Sequence, residues 1–264
     1  MADGTPSGTN AQPDGTRFGG RAAIVTGAAS GIGRATAVRL AADGARVTCA
    51  DLADAVEETV DQIRAEGGTA VAARIDVRDE DSVSAAVAAA VAAHGPTEIL
   101  ANVAGVLRFA HTHQLEVAEW DLLLDVNLRG PFLMARAVIP QMLESGAGVI
   151  TNVASSAGMF GQAFMAHYCA SKGGVVLLTK SLAWEYLKRN IRVNAISPGG
   201  VETAMTGSVS FPEGIDFGLI AKTMAVDNKM LDPSEPAALI AYLSSDEAAG
   251  INGAVVPIDH AITA

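Results

Sequence analysis

The stretch AIVTGAASGIGRATAV, residues 23–38, decides the fold of this chain. It starts within an apolar run, Ala22–Thr26, passes through a glycine-rich turn, Gly27–Gly33, and continues with a helical pattern. A strand, a glycine turn and a helix in this order predict the start of a βαβ unit, in which amides at the helix N-terminus can face a pyrophosphate. The spacing Gly-x3-Gly-x-Gly differs from the usual Gly-x-Gly-x-x-Gly pattern, so the loop alone also fits an ordinary turn.

Short apolar runs rich in β-forming residues recur along the rest of the chain. The predicted strands are Ala22–Thr26, Arg46–Ala50, Ala70–Ile75, Glu98–Asn102, Gly148–Val153, Arg192–Ser197 and Ala254–Ile258. Longer stretches with helical spacing lie between them, such as Val83, Val87 and Val91. The runs are apolar throughout, as expected when both faces of a parallel sheet are covered. We therefore predict an α/β fold of the Rossmann type, with a doubly wound, seven-stranded parallel sheet and helices on both faces.

The start of the chain departs from this pattern. Residues 1–17 are rich in Gly, Pro, Thr, Asn and Asp without periodicity, and predict a disordered N-terminal tail. No composition break divides the remainder, so residues 18–264 are predicted to form a single domain.

Composition and charge narrow the function classes. Half of the 264 residues are hydrophobic, which is enough to build a large core. The 29 acidic and 18 basic residues leave a net charge of −11, which would repel a nucleic acid. Two cysteines are too few for a disulfide framework, and neither a signal peptide nor a long apolar run is visible. We predict a soluble, cytoplasmic protein with no nucleic-acid or membrane partner.

An acidic residue ends the second predicted strand region. Asp51 lies 18 residues after Gly33, where a carboxylate can accept hydrogen bonds from an adenosine ribose, although it could instead cap a helix over Leu52–Ile63. A carboxylate about 4 Å from a 2′-phosphate is repelled by roughly 4 kcal/mol at an effective dielectric of about 20. Asp51 therefore predicts NAD(H) over NADP(H), with Arg34 and Arg46 as the residues that could accommodate a phosphate instead.

A tyrosine and a lysine are spaced for acid–base chemistry. Tyr168 and Lys172 are four residues apart, so a helix places them on one face. A free phenol has a pKa of about 10, and a neighbouring ammonium is expected to lower the pKa of Tyr168 toward neutrality. Alone, the pair also fits a solvated helix face.

The neighbouring motifs make the pattern specific. Ser155 lies 13 residues before Tyr168, and Asn102-Val103-Ala104-Gly105, Asn127 and Pro198-Gly199-Gly200-Val201-Glu202-Thr203 occur in matching order. With the Gly27–Gly33 loop, this set closely resembles the short-chain dehydrogenase/reductase family in its compact, single-domain branch. The resemblance extends from about residue 18 to the end.

The resemblance implies a catalytic set of Asn127, Ser155, Tyr168 and Lys172. Tyr168 would act as general acid or base, Ser155 would hold the substrate oxygen, and Lys172 would bind the nicotinamide ribose. Ser156 is the rival of Ser155, but its spacing to Tyr168 does not match the family, so it is interpreted as a structural hydroxyl. The implied reaction is NAD-dependent interconversion of a secondary alcohol and a ketone.

Asn127 has a local reason to matter. Pro131 follows four residues later in a helical stretch, Trp120–Leu143, and cannot donate to the Asn127 carbonyl. A kink is predicted there. The freed carbonyl would then hold a water against Lys172, which is the relay role that the resemblance implies. A plain packing kink is the alternative.

The resemblance also implies a set of cofactor contacts along the chain. They are Gly27, Ser30, Gly31, Ile32, Gly33, Asp51, Leu52, Asp76, Val77, Asn102, Ala104, Gly105, Tyr168, Lys172, Pro198, Gly199, Val201 and Thr203. Two places depart from the family pattern: Val103 stands where an asparagine is commoner, and Asp259-His260-Ala261 stands where Asp-Gly-Gly is common. The second departure is expected to alter the last turn.

Large apolar side chains in the loops after the fifth and sixth strands indicate a hydrophobic substrate. They are Met159, Phe160, Phe164, Met165, Met205, Phe211, Phe217, Leu219 and Met224, although such residues could simply pack the loops and subunit contacts. His111-Thr112-His113 lacks further nearby ligands, so we predict no metal site and expect these residues to rim the pocket.

Relatives of this kind commonly assemble as tetramers, so a homotetramer is expected, with a dimer as the alternative. The contacts would involve the helices of Asn127 and Tyr168, together with Leu239–Leu243 and Val255-Val256. Two other functions stay open: an NADPH-dependent carbonyl or 3-oxoacyl reductase, and a non-enzymatic NAD(H)-binding sensor.

Overall fold

The computed structural model describes residues 16–221, 223–225 and 229–264. The strands are β1 (Ala22–Thr26), β2 (Arg46–Asp51), β3 (Thr69–Arg74), β4 (Ile99–Asn102), β5 (Gly148–Val153), β6 (Ile191–Pro198) and β7 (Val255–Ile258). They form one parallel sheet in the order β3-β2-β1-β4-β5-β6-β7. All the predicted strands are present, and the predicted seven-stranded, doubly wound fold is confirmed.

Helices connect the strands. Within the described residues they are α1 (Gly31–Ala42), α2 (Val56–Ala65), α3 (Glu80–His94), α4 (Val117–Leu124), α5 (Gly130–Ser145), α6 (Ala166–Glu185), α7 (Ala204–Gly207), α8 (Phe217–Ala221) and α9 (Ser234–Ser244). None of these described helices combines the length and the apolarity needed to cross a bilayer.

The ends of α3 show how local sequence sets an element. Asp79 precedes the helix, and its side chain accepts a hydrogen bond from the Ser82 amide at 2.9 Å. The helix ends at His94 and is followed by Gly95, whose φ of 83° is a conformation that glycine adopts without strain. Both signals are readable in the sequence.

The core has two main layers, one on each face of the sheet. Ala23 and Val25 of β1 belong to the layer that includes Leu40 of α1, whereas Ile24 belongs to the layer that includes Val87 of α3. Successive side chains of a strand point to opposite faces, so a strand covered on both sides must be apolar at every position. This explains why apolar and polar residues do not alternate along the strands.

The predicted tail, residues 1–17, lies outside the described residues except for Thr16 and Arg17. Arg17 contacts Asp43 at 3.1 Å and Glu247 at 2.8 Å. Phe18, which follows it, is fully buried in the layer that contains α1.

Candidate active site

A cavity of about 590 Å³ opens at the carboxyl edge of the sheet. In a doubly wound sheet this edge, where the strand order reverses, is the usual ligand site. Most of the predicted cofactor residues line it: Gly27, Ser30, Gly31, Ile32, Gly33, Asp51, Leu52, Asp76, Val77, Ala104, Gly105, Tyr168, Lys172, Pro198, Gly199, Val201 and Thr203. Ser155 lines it too, whereas Asn102 and Asn127 do not.

The glycine loop that connects β1 to α1 is packed too closely for side chains. A Cβ on Gly33 would lie 1.9 Å from the Gly27 carbonyl oxygen, and one on Gly27 would lie 2.9 Å from Ala104. Thr26 connects the same loops, since its Oγ1 accepts hydrogen bonds from the amides of Val103 at 3.0 Å and Ala104 at 3.2 Å. The loop is therefore a bare backbone surface at the N-terminus of α1, which suits a pyrophosphate.

Asp51 faces the cavity from the end of β2. Its two carboxylate oxygens accept hydrogen bonds from the amides of Ala29 and Ala53, both at 2.9 Å. The alternative interpretation as a helix cap is wrong, because α2 begins only at Val56 with Ala55 before it. Asp51 instead holds the glycine loop in place and leaves a negative charge on the cavity wall.

The two arginines that could accommodate a phosphate are engaged elsewhere. Arg34 pairs with Glu58 at 3.0 Å and donates to the Ala29 carbonyl at 2.6 Å. Arg46 lies at the start of β2, the opposite end from Asp51, and donates to the Gly20 carbonyl at 2.6 Å. Neither lines the cavity.

Arg78 lies on the cavity wall, and sequence reasoning missed it. Its Nε and Nη2 bind the two carboxylate oxygens of Asp76 at 2.9 and 2.7 Å. The hydrogen bonds from Arg78 hold the pKa of Asp76 below its ordinary value. The sequence signal that could have identified Arg78 was its position two residues after Asp76, just past the end of β3.

Tyr168 and Lys172 both project into the cavity from α6, as their spacing predicts. The Lys172 ammonium lies 5.8 Å from the centre of the Tyr168 ring and donates to the Val153 carbonyl at 2.8 Å. Lys172 is buried, and desolvation lowers the pKa of its ammonium to about 8. At pH 7, below this pKa, Lys172 is therefore still mainly in its ammonium form.

The pKa of Tyr168 differs from the sequence expectation. Desolvation raises it above the ordinary value, and a hydrogen bond with Ser155 acts in the opposite direction. The sequence expectation that Lys172 lowers this pKa is wrong in direction, because burial of the phenol is the largest cause of its shift. The phenol is thus protonated near neutral pH in the protein alone.

Ser155 and Ser156 occupy different environments after β5. Ser155 precedes a short 3₁₀ turn, Ser156–Gly158, and its Oγ accepts from the Ala157 amide at 3.2 Å. Ser156 is buried, and its Oγ accepts a hydrogen bond from Gln162 Nε2 at 3.3 Å. The hydrogen bond to Tyr168 comes from Ser155, the residue that the spacing favours.

Asn127 lies behind the cavity wall rather than on it. Its side chain accepts from the Val106 amide at 2.8 Å and donates to the Val106 carbonyl at 2.9 Å and to Ser171 Oγ at 3.1 Å. The predicted disturbance before Pro131 takes the form of a π-helical turn, Asp125–Arg129, that joins α4 to α5. Asn127 thereby fixes the loop after β4 against α6.

Asn102 has a structural position. Its Nδ2 donates to Asn152 Oδ1 at 2.9 Å, which connects β4 to β5 within the sheet. The side chain is buried below the cavity floor. The neighbouring residues Ala104 and Gly105 do reach the cavity.

The part of the cavity that was expected to hold the substrate, called here the substrate end, differs most from the sequence prediction. Of the predicted loop residues, Met165 and Met205 line it; Met159, Phe160, Phe164, Phe211, Phe217, Leu219 and Met224 do not. The other apolar wall residues are Val106, Leu107, Phe109, Leu122 and Val126, which come from the loop after β4, from α4 and from the π-turn. These were missed because nothing in their local pattern distinguishes wall from core.

The predicted loop aromatics pack against one another. Phe211 lies 4.9 Å from Phe109 and 5.3 Å from Phe217 between ring centres. His111 stands edge-on to Phe164 at 5.3 Å, and its Nε2 lies 2.9 Å from the Glu213 carbonyl oxygen. The histidines were expected to rim the pocket, but His111 instead joins two loops outside the cavity wall.

Two further sequence features can be placed. Throughout the described ranges, no three His, Cys, Asp or Glu side chains gather as metal ligands do. In the last turn, His260 and Ala261 adopt positive φ angles of 49° and 65°, and buried Asp259 accepts a hydrogen bond from the Thr263 hydroxyl at 2.6 Å. The turn keeps a conformation that glycine favours, although glycine is absent there.

Comparisons with known proteins agree with this geometry. Residues 21–213 match the short chain dehydrogenase family. The chain is 39% identical over 245 residues to a 2,5-dichloro-2,5-cyclohexadiene-1,4-diol dehydrogenase, LinX, of Sphingobium indicum, which covers 92% of this chain and 96% of that one. It is 42% identical over 249 residues to a D-threitol dehydrogenase of Mycolicibacterium smegmatis, covering 94% of each. The crystal structure of gox2181 superposes with a TM-score of 0.85 at 34% identity, covering 92% of this chain and 96% of that one.

Proposed function

The chain belongs to the short-chain dehydrogenase family, and we propose that it is an NAD-dependent oxidoreductase that interconverts a hydrophobic secondary alcohol and its ketone. The observation that carries this proposal is that Ser155, Tyr168 and Lys172 share one cavity with the Gly27–Gly33 loop. Hydride transfer to a nicotinamide requires a proton-transfer group beside a dinucleotide site, and this cavity combines the two.

The residues of the site suit alcohol oxidation. Ser155 holds the substrate oxygen beside Tyr168, and Tyr168, once its phenol has lost its own proton, takes the proton of the alcohol as general base. Bound NAD⁺ supplies the acceptor for the hydride that leaves the carbinol carbon. Because desolvation opposes the phenolate, the proton transfer needs a nearby cation, and the Lys172 ammonium, 5.8 Å from the Tyr168 ring centre, is that cation.

Asn127 is proposed as a positioning residue with a relay role. Its side chain is fixed by hydrogen bonds with Val106 and Ser171, and both Asn127 Oδ1 and Lys172 Nζ lie beside Gly105. Pro131 has no amide hydrogen, so a carbonyl of this turn lacks its helical donor. We propose that the Asn127 carbonyl holds a water that passes protons to and from Lys172.

NAD is the proposed cofactor because of the charge of Asp51. The predicted cofactor residues on the wall would hold it: the bare Gly27–Gly33 backbone faces the pyrophosphate and Asp51 the adenosine ribose. A 2′-phosphate at that ribose would meet the Asp51 carboxylate, and Arg34 is already paired with Glu58.

The second candidate is an NADPH-dependent carbonyl reductase, which the position of Arg78 favours. Its guanidinium lies on the cavity wall, although the Asp76 carboxylate already neutralises it. Calorimetric titration with NADH and NADPH separates the candidates. We expect NADH to bind more tightly, and equal or reversed affinities would favour the reductase.

We further propose that residues 18–264 act as a single domain in the cytoplasm and assemble as a homotetramer, with a dimer as the alternative. Leu177 and Trp184 on α6 are 68% and 81% exposed, and Phe132 on α5 is 44% exposed. Side chains of this size support burial against further copies of the chain. A monomer mass in light scattering would contradict this assembly.

The test of the function is NADH formation from NAD⁺ across a panel of secondary alcohols, from small linear to large alicyclic ones. We expect turnover with alicyclic alcohols in particular, because the substrate end of the cavity is largely apolar. A preference for small charged hydroxy acids would contradict the hydrophobic substrate. Tight NADH binding without turnover of any ketone or alcohol would favour the sensor.

A further inference from the structure

Gln162 stands on the cavity wall in the loop between β5 and α6. Its backbone is anchored to α6, since its amide donates to Cys169 Sγ at 3.3 Å and the Cys169 thiol lies 3.9 Å from its carbonyl oxygen. The position of this residue in the wall is therefore set independently of its side chain.

The side-chain amide is held beside the catalytic serine. Gln162 Nε2 donates to Ser156 Oγ at 3.3 Å, and Ser156 directly follows Ser155. The amide oxygen Oε1 has no hydrogen-bond partner among the residues that the structure describes. The amide thus combines a fixed nitrogen with an unused acceptor.

Two threonine hydroxyls of the cavity wall donate their hydrogens within the protein. Thr206 Oγ1 donates to the Val201 carbonyl and Thr223 Oγ1 to the Ile220 carbonyl, both at 2.7 Å. The same cavity wall also carries apolar side chains, such as those of Leu107 and Phe109. An amide oxygen in such surroundings is costly to leave without a donor once a ligand displaces the water.

We propose that Gln162 is a specificity-determining residue that accepts a hydrogen bond from a second hydroxyl of the substrate. Ser155 and Tyr168 bind the reacting hydroxyl, and the Gln162 amide, tied to the neighbouring Ser156, binds a hydroxyl on an adjacent carbon. The preferred substrate is accordingly an alicyclic diol rather than a simple cyclic alcohol. This inference rests on the proposed alcohol dehydrogenase function.

The experiment compares kcat/KM for cis-cyclohexane-1,2-diol and for cyclohexanol in the wild-type protein and in Gln162→Met, which keeps the side-chain length and removes the amide. We expect the wild type to favour the diol, and the diol-to-cyclohexanol ratio to fall about tenfold in the variant, because a site built to pair a hydroxyl discriminates through that pair. Gln62→Met, the same change on the exposed face of α2, should leave the ratio unchanged.

A ratio that moves less than twofold in Gln162→Met would overturn the inference. The function would stand in that case, because cyclohexanol oxidation by the wild type reports on it separately. Oxidation of neither compound by the wild type would overturn both. If Gln162→Met does not fold, as judged by thermal unfolding, Ser156→Ala tests the same contact: releasing the amide should lower the ratio about threefold, and no change would again overturn the inference.

Discussion

The two ends of the cavity were predictable to different degrees. At the cofactor end, the predicted residues from Gly27 to Thr203 line the wall, with Asn102 as the exception. At the substrate end, Met165 and Met205 line it, but the large aromatics of the same loops pack against each other instead. The cofactor end is made by backbone at the ends of strands, whereas the substrate end is made by side chains from elements far apart in the chain.

The difference has a physical origin. A glycine turn between a strand and a helix determines its own shape, so Gly27–Gly33 forms the same surface wherever the sheet places it. The hydrophobicity of a side chain does not specify its partner: Phe211 contacts the Phe109 ring and stays partly exposed instead of lining the cavity. Local backbone geometry can therefore be predicted from the sequence, whereas hydrophobicity alone does not predict which side chains line the site.

The largest effect is expected where the two ends meet, at Tyr168. Tyr168→Phe should lower kcat for alcohol oxidation by about 10²- to 10⁴-fold, because general acid–base catalysis by a positioned side chain contributes about that much. The measurement is steady-state NADH formation. Tyr242→Phe, on α9, is the matched control and should keep its activity. Near wild-type turnover in Tyr168→Phe would contradict the assignment.

The next prediction compares two glycines of the cavity wall, one with no room for a Cβ and one with room for it. Gly33→Ala should weaken NADH binding at least tenfold and lower the free energy of unfolding by about 2 kcal/mol, because its Cβ would collide with the Gly27 carbonyl. Gly200→Ala, at another glycine of the cavity wall, should be tolerated, since the nearest atom to its Cβ is 3.6 Å away on Met230. Calorimetry and denaturant unfolding measure both. Equal losses of NADH affinity and of unfolding free energy in the two variants would contradict this prediction.

The third prediction concerns the pH dependence that the buried Lys172 produces. Its pKa is lowered to about 8 in the folded protein, so above pH 8 the unfolded chain keeps a proton that the folded protein has lost. Stability contributed by this group therefore rises with pH, by about 2 kcal/mol between pH 8 and pH 10. The raised pKa of Tyr168 opposes this rise only above the ordinary phenol pKa of about 10.

Denaturant unfolding at pH 8, 9 and 10 measures this rise. It should be smaller in Lys172→Met, which has no ammonium to titrate, than in the wild type. Lys180→Met, an exposed lysine of the same helix, is the control and should keep the wild-type slope. Parallel pH curves for Lys172→Met and the wild type would show that Lys172 is not desolvated as described.

The smallest effect is expected at the rim of the cofactor end. Asp51→Asn should improve NADPH affinity relative to NADH about tenfold, because it removes one negative charge that solvent partly screens while an amide oxygen remains to hold the loop. Asp54→Asn changes an exposed carboxylate that pairs with Arg74 at 2.8 Å, and should leave the ratio as it was. An unchanged ratio in Asp51→Asn would mean that another group selects the cofactor.

The proposed catalytic residues illustrate how much of the site can be predicted from local spacing. A separation of four residues on a helix was enough to place Tyr168 and Lys172 in the same cavity, whereas Ser155 and Ser156 both line it, and the preference for Ser155 rests on the family spacing of 13. The pKa values were not accessible in this way. Desolvation, which raises the pKa of Tyr168 and lowers that of Lys172, depends on atoms that reach the site from other elements.

The sequence alone determined the seven strands, the glycine loop, the carboxylate at the end of β2 and the spacing of the catalytic side chains, because each follows from backbone geometry over a few residues. The tertiary structure decided which apolar residues face the substrate, the pairing of Arg78 with Asp76 and the placement of Gln162 beside Ser156. These depend on contacts between segments distant in the chain, and such contacts are chosen by the packing of the whole fold rather than by any local pattern.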